Sequence, residues 1–149
     1  MWLSSGTDPR KPGCIDTYVT LCVALFDLSS CEVRVISLGH PPPVLLAQPV
    51  RPLDVRPFRP LGLGFDDDWI ATAVPWKGEP TLFYTDGLIE NPVSRGEPNR
   101  WFEVGLLAWL EAHHGVDDPI DYADRLIRSA TEGRELRDDV ALLLVAADH

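Results

Sequence analysis

The sequence has few cysteines and no long apolar run, and each shortage excludes a class of protein. Its three cysteines, Cys14, Cys22 and Cys31, are an odd number without any C-x-x-C pair, which argues against a disulfide framework and against a zinc ribbon. Cys22 falls in an apolar stretch, so we predict a small buried hydrophobic side chain rather than a reactive thiol. No stretch approaches the roughly 20 apolar residues that a membrane span requires, and residues 1–13 lack the apolar core of a signal peptide.

Basic residues are also scarce, with 13 Lys and Arg against 23 Asp and Glu, which gives a net charge of −10 over 149 residues. The basic residues are scattered singly and form no basic stripe, so nucleic acid and anionic membranes are not expected as partners. Together with the absence of a membrane span or signal peptide, this composition predicts a soluble, cytoplasmic protein.

The length favours one domain, with a strand-rich first part followed by helices and one last strand. Thr17 to Asp27 and Cys31 to Leu38 flank a short polar turn and are predicted to form an antiparallel hairpin. In the first of these strands both alternate sets of side chains are mostly apolar. This pattern predicts a central strand that is buried on both faces.

The rest of the chain predicts a mixed α/β class, of the layered α+β type. Prolines make the stretch from Gln48 to Gly64 an ordered loop. The other predicted elements are strands at Val44 to Ala47, Trp69 to Trp76, Thr81 to Thr85 and Val140 to Ala147, and helices from Trp101 to His113 and from Asp118 to Gly133.

The second helix carries a clear start signal, with Asp118 as the N-cap and Pro119 in the first helical position. Its apolar residues recur at helical spacing, and this stripe consists of Ile120, Ala123, Ile127 and Ala130. Gly133 is the expected stop. The strand that follows is predicted to lie in the middle of the core.

Acidic residues stand at the ends of two apolar strands. Asp86 and Gly87 follow the strand that ends at Tyr84-Thr85, and Asp138-Asp139 precede the last strand. Carboxylates at the rim of a core need a compensating positive charge, and oxygen ligands suit Mg²⁺ or Mn²⁺. If antiparallel pairing brings these ends together, Asp86 and Asp138 would share one ion. Taken singly, however, each acidic pair is also typical of an ordinary solvated turn.

The order of the motifs resembles a known family. Tyr18-Val19-Thr20 opens the hairpin, Gly39-His40-Pro41-Pro42-Pro43 follows it, and Phe83 to Glu90 and Arg137 to Leu143 carry the acidic pairs. From Thr17 to Ala147 the chain is similar to the metal-dependent serine/threonine protein phosphatases, the PPM or protein phosphatase 2C-like superfamily. Within that superfamily it resembles the bacterial SpoIIE/RsbU branch.

The resemblance implies a sandwich of two antiparallel sheets flanked by helices, with two Mn²⁺ or Mg²⁺ ions at one end that activate water for attack on phosphoserine or phosphothreonine. Asp86 and Asp138 match the family's metal ligands. Asp139, Gly87 and His40 are expected to support the site without binding metal. Asp139 would orient a ligand, and His40 would hold a loop. The implied substrate is a phosphorylated regulator such as an anti-sigma-factor antagonist.

The sequence departs from this family at its front. Relatives carry a Gly-Asp motif at the end of a first strand and an Asp-x-x-Gly-His-Gly segment, which supply the ligands that bridge the two metals, and neither occurs here. Residues 1–149 therefore match roughly the last two thirds of a catalytic domain. We expect at most one well-held ion and little or no activity. Missing strands would also leave sheet surface uncovered, which favours association with a second copy or another protein.

Three hypotheses remain open at this level. The first is the C-terminal portion of a protein serine/threonine phosphatase. The second is a non-catalytic, phosphatase-derived module that binds a protein partner. The third is an unrelated acidic α/β domain in which the Asp-Gly turns are coincidental.

Overall fold

The computed structural model describes residues 18–63, 68–90, 102–131 and 138–147. These residues form strands and two helices, and a short 3₁₀ helix at Asp86–Leu88 follows one of the strands. The strands are β1 (Leu21–Asp27), β2 (Glu32–Leu38), β3 (Val44–Leu45), β4 (Arg51–Pro52), β5 (Pro57–Phe58), β6 (Thr72–Pro75), β7 (Thr81–Tyr84) and β8 (Leu142–Val145), and the helices are α1 (Phe102–Ala112) and α2 (Pro119–Thr131). Neither helix is long and apolar enough to cross a membrane.

The first sheet is built around the predicted hairpin. β1 and β2 pair antiparallel from Leu21 opposite Leu38 to Asp27 opposite Glu32, and β5 and β6 both pair with β2. The turn is held by the Asp27 carboxylate, which accepts the hydroxyl of Ser29 at 2.6 Å and its backbone N–H at 2.9 Å. These bonds to the ionised form lower the pKa of Asp27 to about 2. The hairpin prediction is confirmed.

The second sheet has the strand order β4-β3-β7-β8. β7 and β8 are antiparallel, with Tyr84 opposite Leu142 and Thr81 opposite Val145. Both helices pack on one face of this sheet, where Leu82, Tyr84, Leu106, Leu110 and Leu126 belong to one buried cluster. The predicted start of α2 is confirmed, because the Asp118 carboxylate accepts the N–H groups of Ile120 at 2.8 Å and Asp121 at 3.2 Å.

A second buried cluster fills the space between the two sheets. Val33, Val35 and Val74 of the first sheet meet Leu45 of the second, together with Trp76. The alternation of β3 explains how both clusters form, since Val44 points to the helices and Leu45 points to the other sheet. The arrangement of two mainly antiparallel sheets with helices on one side confirms the predicted layered α+β class.

Two predictions of central strands are wrong for the part of the chain that the structure describes. β1 pairs only with β2, and β8 pairs only with β7, so both are edge strands. On β1 one alternate set of side chains, Leu21, Val23 and Leu25, is exposed. Apolar residues on both faces of a strand indicate that both faces favour burial, whereas burial itself requires a neighbouring element to supply the cover.

Two smaller predictions also need correction. The stripe assigned to α2 is confirmed only in part. Ala130 is buried as predicted and Ile127 packs against the core, but Ile120 is exposed, and the other buried positions are Tyr122, Leu126 and Thr131. The stretch predicted as a loop contains the two-residue strands β4 and β5. Gly133, the expected helix stop, lies outside the described residues.

Candidate metal centre at the ends of two strands

The end of β7 and the start of β8 are joined through Thr85. Its backbone N–H donates to the Ala141 carbonyl at 3.1 Å. Its hydroxyl donates to the Asp139 carbonyl at 3.2 Å and accepts the N–H of Ala141 at 3.0 Å. Thr85 therefore extends the strand ladder by one residue beyond β7 and fixes the positions of its two acidic neighbours, Asp86 and Asp139.

Gly87 lies directly against the start of β8. A Cβ atom at this position would lie 2.4 Å from the Asp139 carbonyl oxygen and 3.4 Å from the Cβ of Asp138. Any side chain other than hydrogen would therefore separate the two strand ends. This contact brings the two acidic pairs together at one end of the sheet, where β7 ends and β8 begins. Antiparallel pairing of these strands was expected to have this effect.

The two candidate metal ligands are exposed to solvent and are partly used locally. One oxygen of Asp86 accepts the N–H of Gly87 at 3.0 Å, and one oxygen of Asp138 accepts the N–H of Asp139 at 2.8 Å. The Asp86 carbonyl also accepts the N–H of Ile89 at 2.9 Å, which closes the 3₁₀ turn. Among the described residues, the other oxygen of each carboxylate has no hydrogen-bond partner and could accept a further one.

His40 lies beside the same strand end. Its ring interacts with the backbone of Tyr84 and with the charge of Asp86, and its own carbonyl accepts the Ser37 hydroxyl at 2.7 Å. Partial burial lowers the pKa of His40, and the nearby Asp86 carboxylate and the bond to Tyr84 oppose this shift only in part. The loop that contains His40 is therefore connected to the strand that carries Asp86.

The aromatic residue before this site is buried and connected to α1. Tyr84 is part of the core beneath the helices, and burial raises the pKa of its hydroxyl, with a further contribution from the Glu103 carboxylate. A tyrosine held neutral in this way anchors the end of β7 and cannot act as a base near neutral pH.

The donor set fits one hydrated ion better than a pair of ions. Nowhere in the described ranges do three His, Cys, Asp or Glu side chains come together in a way that could hold a metal. Mg²⁺ commonly uses one or two carboxylates and keeps several waters, which is compatible with Asp86 and Asp138. The assignment of Asp86 and Asp138 as ligands, and of Asp139, Gly87 and His40 as supporting residues, stays a prediction.

Sequence reasoning did not identify the role of Thr85. A threonine between an apolar strand and an aspartate is a common pattern. It does not show which neighbouring strand the threonine will contact. Its function follows only from the position of β8, which supplies both a carbonyl acceptor and an N–H donor.

Comparison with known proteins gives independent support for the resemblance to the SpoIIE/RsbU branch. The family model for stage II sporulation protein E (SpoIIE) matches residues 5–148. A solved structure of the RsbU and RsbW domains of a Mycobacterium tuberculosis protein is 28% identical, with a TM-score of 0.68 over 85% of this chain and 35% of that chain. The Mn-presoaked phosphatase domain of the Bacillus subtilis cell-fate determinant SpoIIE is 19% identical, with a TM-score of 0.61 over 87% of this chain and 57% of that chain.

A third structure contains the PP2C phosphatase domain of Bacillus subtilis SpoIIE with a fragment of its regulatory domain, at 18% identity and a TM-score of 0.65 over 86% of this chain and 37% of that chain. The chain thus spans between about a third and three fifths of these relatives. The predicted resemblance to the SpoIIE/RsbU branch of the PPM phosphatases is confirmed. The match over nearly the whole sequence shows that the chain belongs to the stage II sporulation protein E family.

Proposed function

We propose that the chain is the C-terminal portion of a metal-dependent protein serine/threonine phosphatase domain. The observation that carries this proposal is the close approach of Gly87 to Asp138 and Asp139. It brings acidic residues from two distant parts of the sequence to one end of the sheet. Membership of a family whose solved relatives include phosphatase domains supports the same function.

Each residue at this end of the sheet has a distinct role in this proposal. Asp86 and Asp138 hold a Mn²⁺ or Mg²⁺ ion through their available oxygens, while Thr85 fixes the spacing between the two strand ends. Asp139 orients the Asp138 side, and His40 supports the backbone at Tyr84. When bound by Asp86 and Asp138, such an ion would supply a lower pKa for a coordinated water and would neutralise charge on a phosphoryl oxygen.

A cation is also needed for substrate binding. The chain has a net charge of −10, and a phosphoprotein brings further negative charge, so the two repel each other unless a cation dominates the local field. We propose that the substrate is a phosphorylated regulatory protein in the cytoplasm, of the kind represented by an anti-sigma-factor antagonist.

Full activity requires ligands that these 149 residues lack. The Gly-Asp and Asp-x-x-Gly-His-Gly motifs that bridge two metals in the family do not occur in the sequence. We therefore propose that residues 1–149 bind one ion weakly and hydrolyse phosphoserine peptides slowly or not at all.

Isothermal titration with Mn²⁺ tests the proposed ligands without relying on turnover. We expect about one ion to bind, and both Asp86→Asn and Asp138→Asn to weaken binding by about tenfold or more. Asp54→Asn, at an exposed acid in the loop between β4 and β5, serves as the matched control and should bind as the native chain does. Equal binding by all four proteins would contradict the ligand assignment.

A phosphatase assay tests the second part of the proposal. Mn²⁺-dependent hydrolysis of a phosphoserine peptide that Asp86→Asn abolishes would support the function but overturn the expectation of low activity.

The alternative is a non-catalytic module that binds a protein partner, which the absence of the bridging motifs favours. An in-frame Gly-Asp strand upstream of Met1 in the gene would favour the enzyme, and a native protein that starts at Met1 would favour the module.

A further inference from the structure

A basic strip lies in and around β5 of the first sheet. It consists of Arg56, Phe58 and Arg59, with the aromatic ring between the two charges in sequence. From residue 51 to residue 59 the sequence has three arginines and one aspartate, although the whole chain has a net charge of −10. This stretch is therefore locally positive in an acidic protein.

The strand pairing places Arg59 at the same end of the molecule as the candidate metal centre. β5 runs parallel to β2, so the residues that follow these two strands, Arg59 and Gly39, lie at the same end. After Gly39 the chain continues to His40, whose ring lies near the charge of Asp86. Arg59 therefore stands beside the turn that leads to the metal centre.

The backbone of the basic strip is held closely against that turn. The N–H of Gly39 donates to the carbonyl of Phe58 at 2.9 Å. Gly39 has a φ of +66°, and a Cβ atom there would overlap the ring of Pro60, so only glycine permits this approach. On the other side, Leu61 and Val19 exchange two backbone hydrogen bonds of 2.9 Å. The strip is thus presented from a fixed segment.

The two guanidinium groups of the basic strip are available to a partner. Both arginines are exposed, and neither forms an ion pair within the described part of the chain, whereas Arg34 and Arg125 each pair with a nearby carboxylate. The guanidinium of Arg56 lies over the Phe58 ring, 5.1 Å from its centroid. This contact restricts the side chain and reduces the entropy that it loses when a partner binds.

We propose that the basic strip docks acidic residues of the phosphoprotein substrate, next to the phosphorylated residue that reaches the metal centre. This inference rests on the proposed function and adds a charge preference to it. Asp86 and Asp138 address only the phosphoryl group, through the ion that they are proposed to hold, whereas a protein partner typically covers about 800 Å² of surface. The rest of this acidic chain repels an acidic substrate, and the strip supplies the opposing attraction.

Two arginines fit a short acidic segment better than an extended polyanion. Nucleic acid and anionic membranes are bound by larger basic surfaces, and Asp54 stands only two residues before Arg56. An acidic peptide needs only a few carboxylates, and each guanidinium can bind one of them through two parallel hydrogen bonds. The strip therefore favours an acidic peptide segment.

Labelled twelve-residue phosphoserine peptides test the basic strip by fluorescence anisotropy in the presence of Mn²⁺. One peptide carries aspartates beside the phosphoserine, and the other carries asparagines in the same places. We expect the full chain to bind the acidic peptide about threefold to tenfold more tightly, although net charge alone predicts the opposite order. The preference should shrink between about 0.05 M and about 0.5 M salt, because exposed charges are screened.

Variants of single arginines locate the docking site. Arg59→Gln should remove most of the preference for the acidic peptide, and Arg59→Lys should retain most of it, because the positive charge remains. Adding Arg56→Gln to Arg59→Gln should remove the rest. Arg128→Gln is the matched control, since this exposed arginine lies in the last turn of α2, in the helix layer on the second sheet, and it should leave the preference unchanged.

Failure of this inference can be distinguished from failure of the proposed function. Absence of peptide binding, equal or tighter binding of the neutral peptide, or equal effects of Arg59→Gln and Arg128→Gln would each overturn the docking role. Mn²⁺ binding that depends on Asp86 would still support the metal centre in those cases. Conversely, unchanged affinity of Asp86→Asn for both phosphopeptides would count against the metal centre, while a preference for acidic residues that Arg59→Gln removes would still support the docking role.

Discussion

The outer faces of the two sheets have similar apolar side chains but very different surroundings. On the second sheet, the helices cover Val44, Leu82 and Tyr84, which are only 1%, 2% and 3% exposed. On the first sheet, Leu21, Val23 and Leu25 of β1 remain 38%, 51% and 63% exposed, without a covering element among the described residues. The difference shows that apolar side chains indicate which face of a sheet favours burial. Only the arrangement of neighbouring strands and helices decides whether that face is buried.

The largest expected effect contrasts the two faces directly. Leu110→Ala should lower the free energy of unfolding by about 2–5 kcal/mol, because it leaves a cavity in the helix-covered core. Leu25→Ala should change it by less than about 0.5 kcal/mol, since most of that side chain already contacts water. Urea denaturation of both variants measures the contrast, and similar losses would mean that the outer face of β1 is covered in solution.

A second contrast concerns the close approach at the candidate metal centre. Gly87→Ala should destabilise the protein by about 1–3 kcal/mol, because the new methyl group would press on the Asp139 carbonyl. Gly115→Ala is the control, since a Cβ there meets nothing within 4 Å. Thermal unfolding of the two variants tests this, and equal stability would show that the two strand ends are further apart than described.

Tyr122 gives a prediction that depends on pH. Burial raises the pKa of Tyr122 from an ordinary 10.0 to about 12, so the folded state favours the neutral phenol. The stability this provides is complete below about pH 10 and is lost as the pH rises to about 12. Tyr122→Phe should remove this part of the alkaline loss while Tyr84, whose pKa is also raised, retains its own.

Measurement of urea midpoints at about pH 8 and about pH 11 separates these contributions. Near neutral pH, Tyr122→Phe should be as stable as the native chain or more stable by up to about 1 kcal/mol, because it removes an unpaired buried hydroxyl. A clear loss of stability at neutral pH would indicate that the hydroxyl has a partner in solution.

The smallest expected change in stability is on the outer face of β1. Val23→Lys should alter the free energy of unfolding by less than about 0.5 kcal/mol and should reduce binding of a hydrophobic dye, because it breaks an exposed apolar stripe. Val33→Lys, at a fully buried position on β2, should prevent folding. Unchanged dye binding by Val23→Lys would place the exposed apolar surface elsewhere.

The local parts of the fold were predictable because their signals are local. The polar turn between β1 and β2 and the Asp118-Pro119 start of α2 each depend on neighbouring residues, and both predictions are confirmed. The buried stripe of α2 was predicted only in part. Ala130 is buried and Ile127 packs against the core, but Ile120 has the correct spacing and faces an open pocket. Helical spacing defines a stripe, whereas the position of the sheet determines which stripe is buried.

The position of the acidic residues at strand ends was predictable and their geometry was not, while their role as metal ligands stays a prediction. Asp86 and Asp138 stand out in the sequence because carboxylates at the ends of apolar strands are costly without a cation. The bonds of Thr85 to Asp139 and Ala141, and the contact of His40 with Tyr84, arise between residues distant in sequence. No local pattern specifies such contacts, because they depend on which strands become neighbours.

The sequence by itself determined the class of fold, the hairpin, the helix start and the acidic residues at two strand ends, since turn chemistry, capping and residue type act over a few positions. The tertiary structure alone decided that β1 and β8 are edges in the described chain, that Thr85 joins the two acidic pairs, and that the hydroxyl of Tyr122 is buried without a partner there. The physical reason is that burial and strand pairing are properties of two surfaces in contact, whereas a sequence pattern describes one surface at a time.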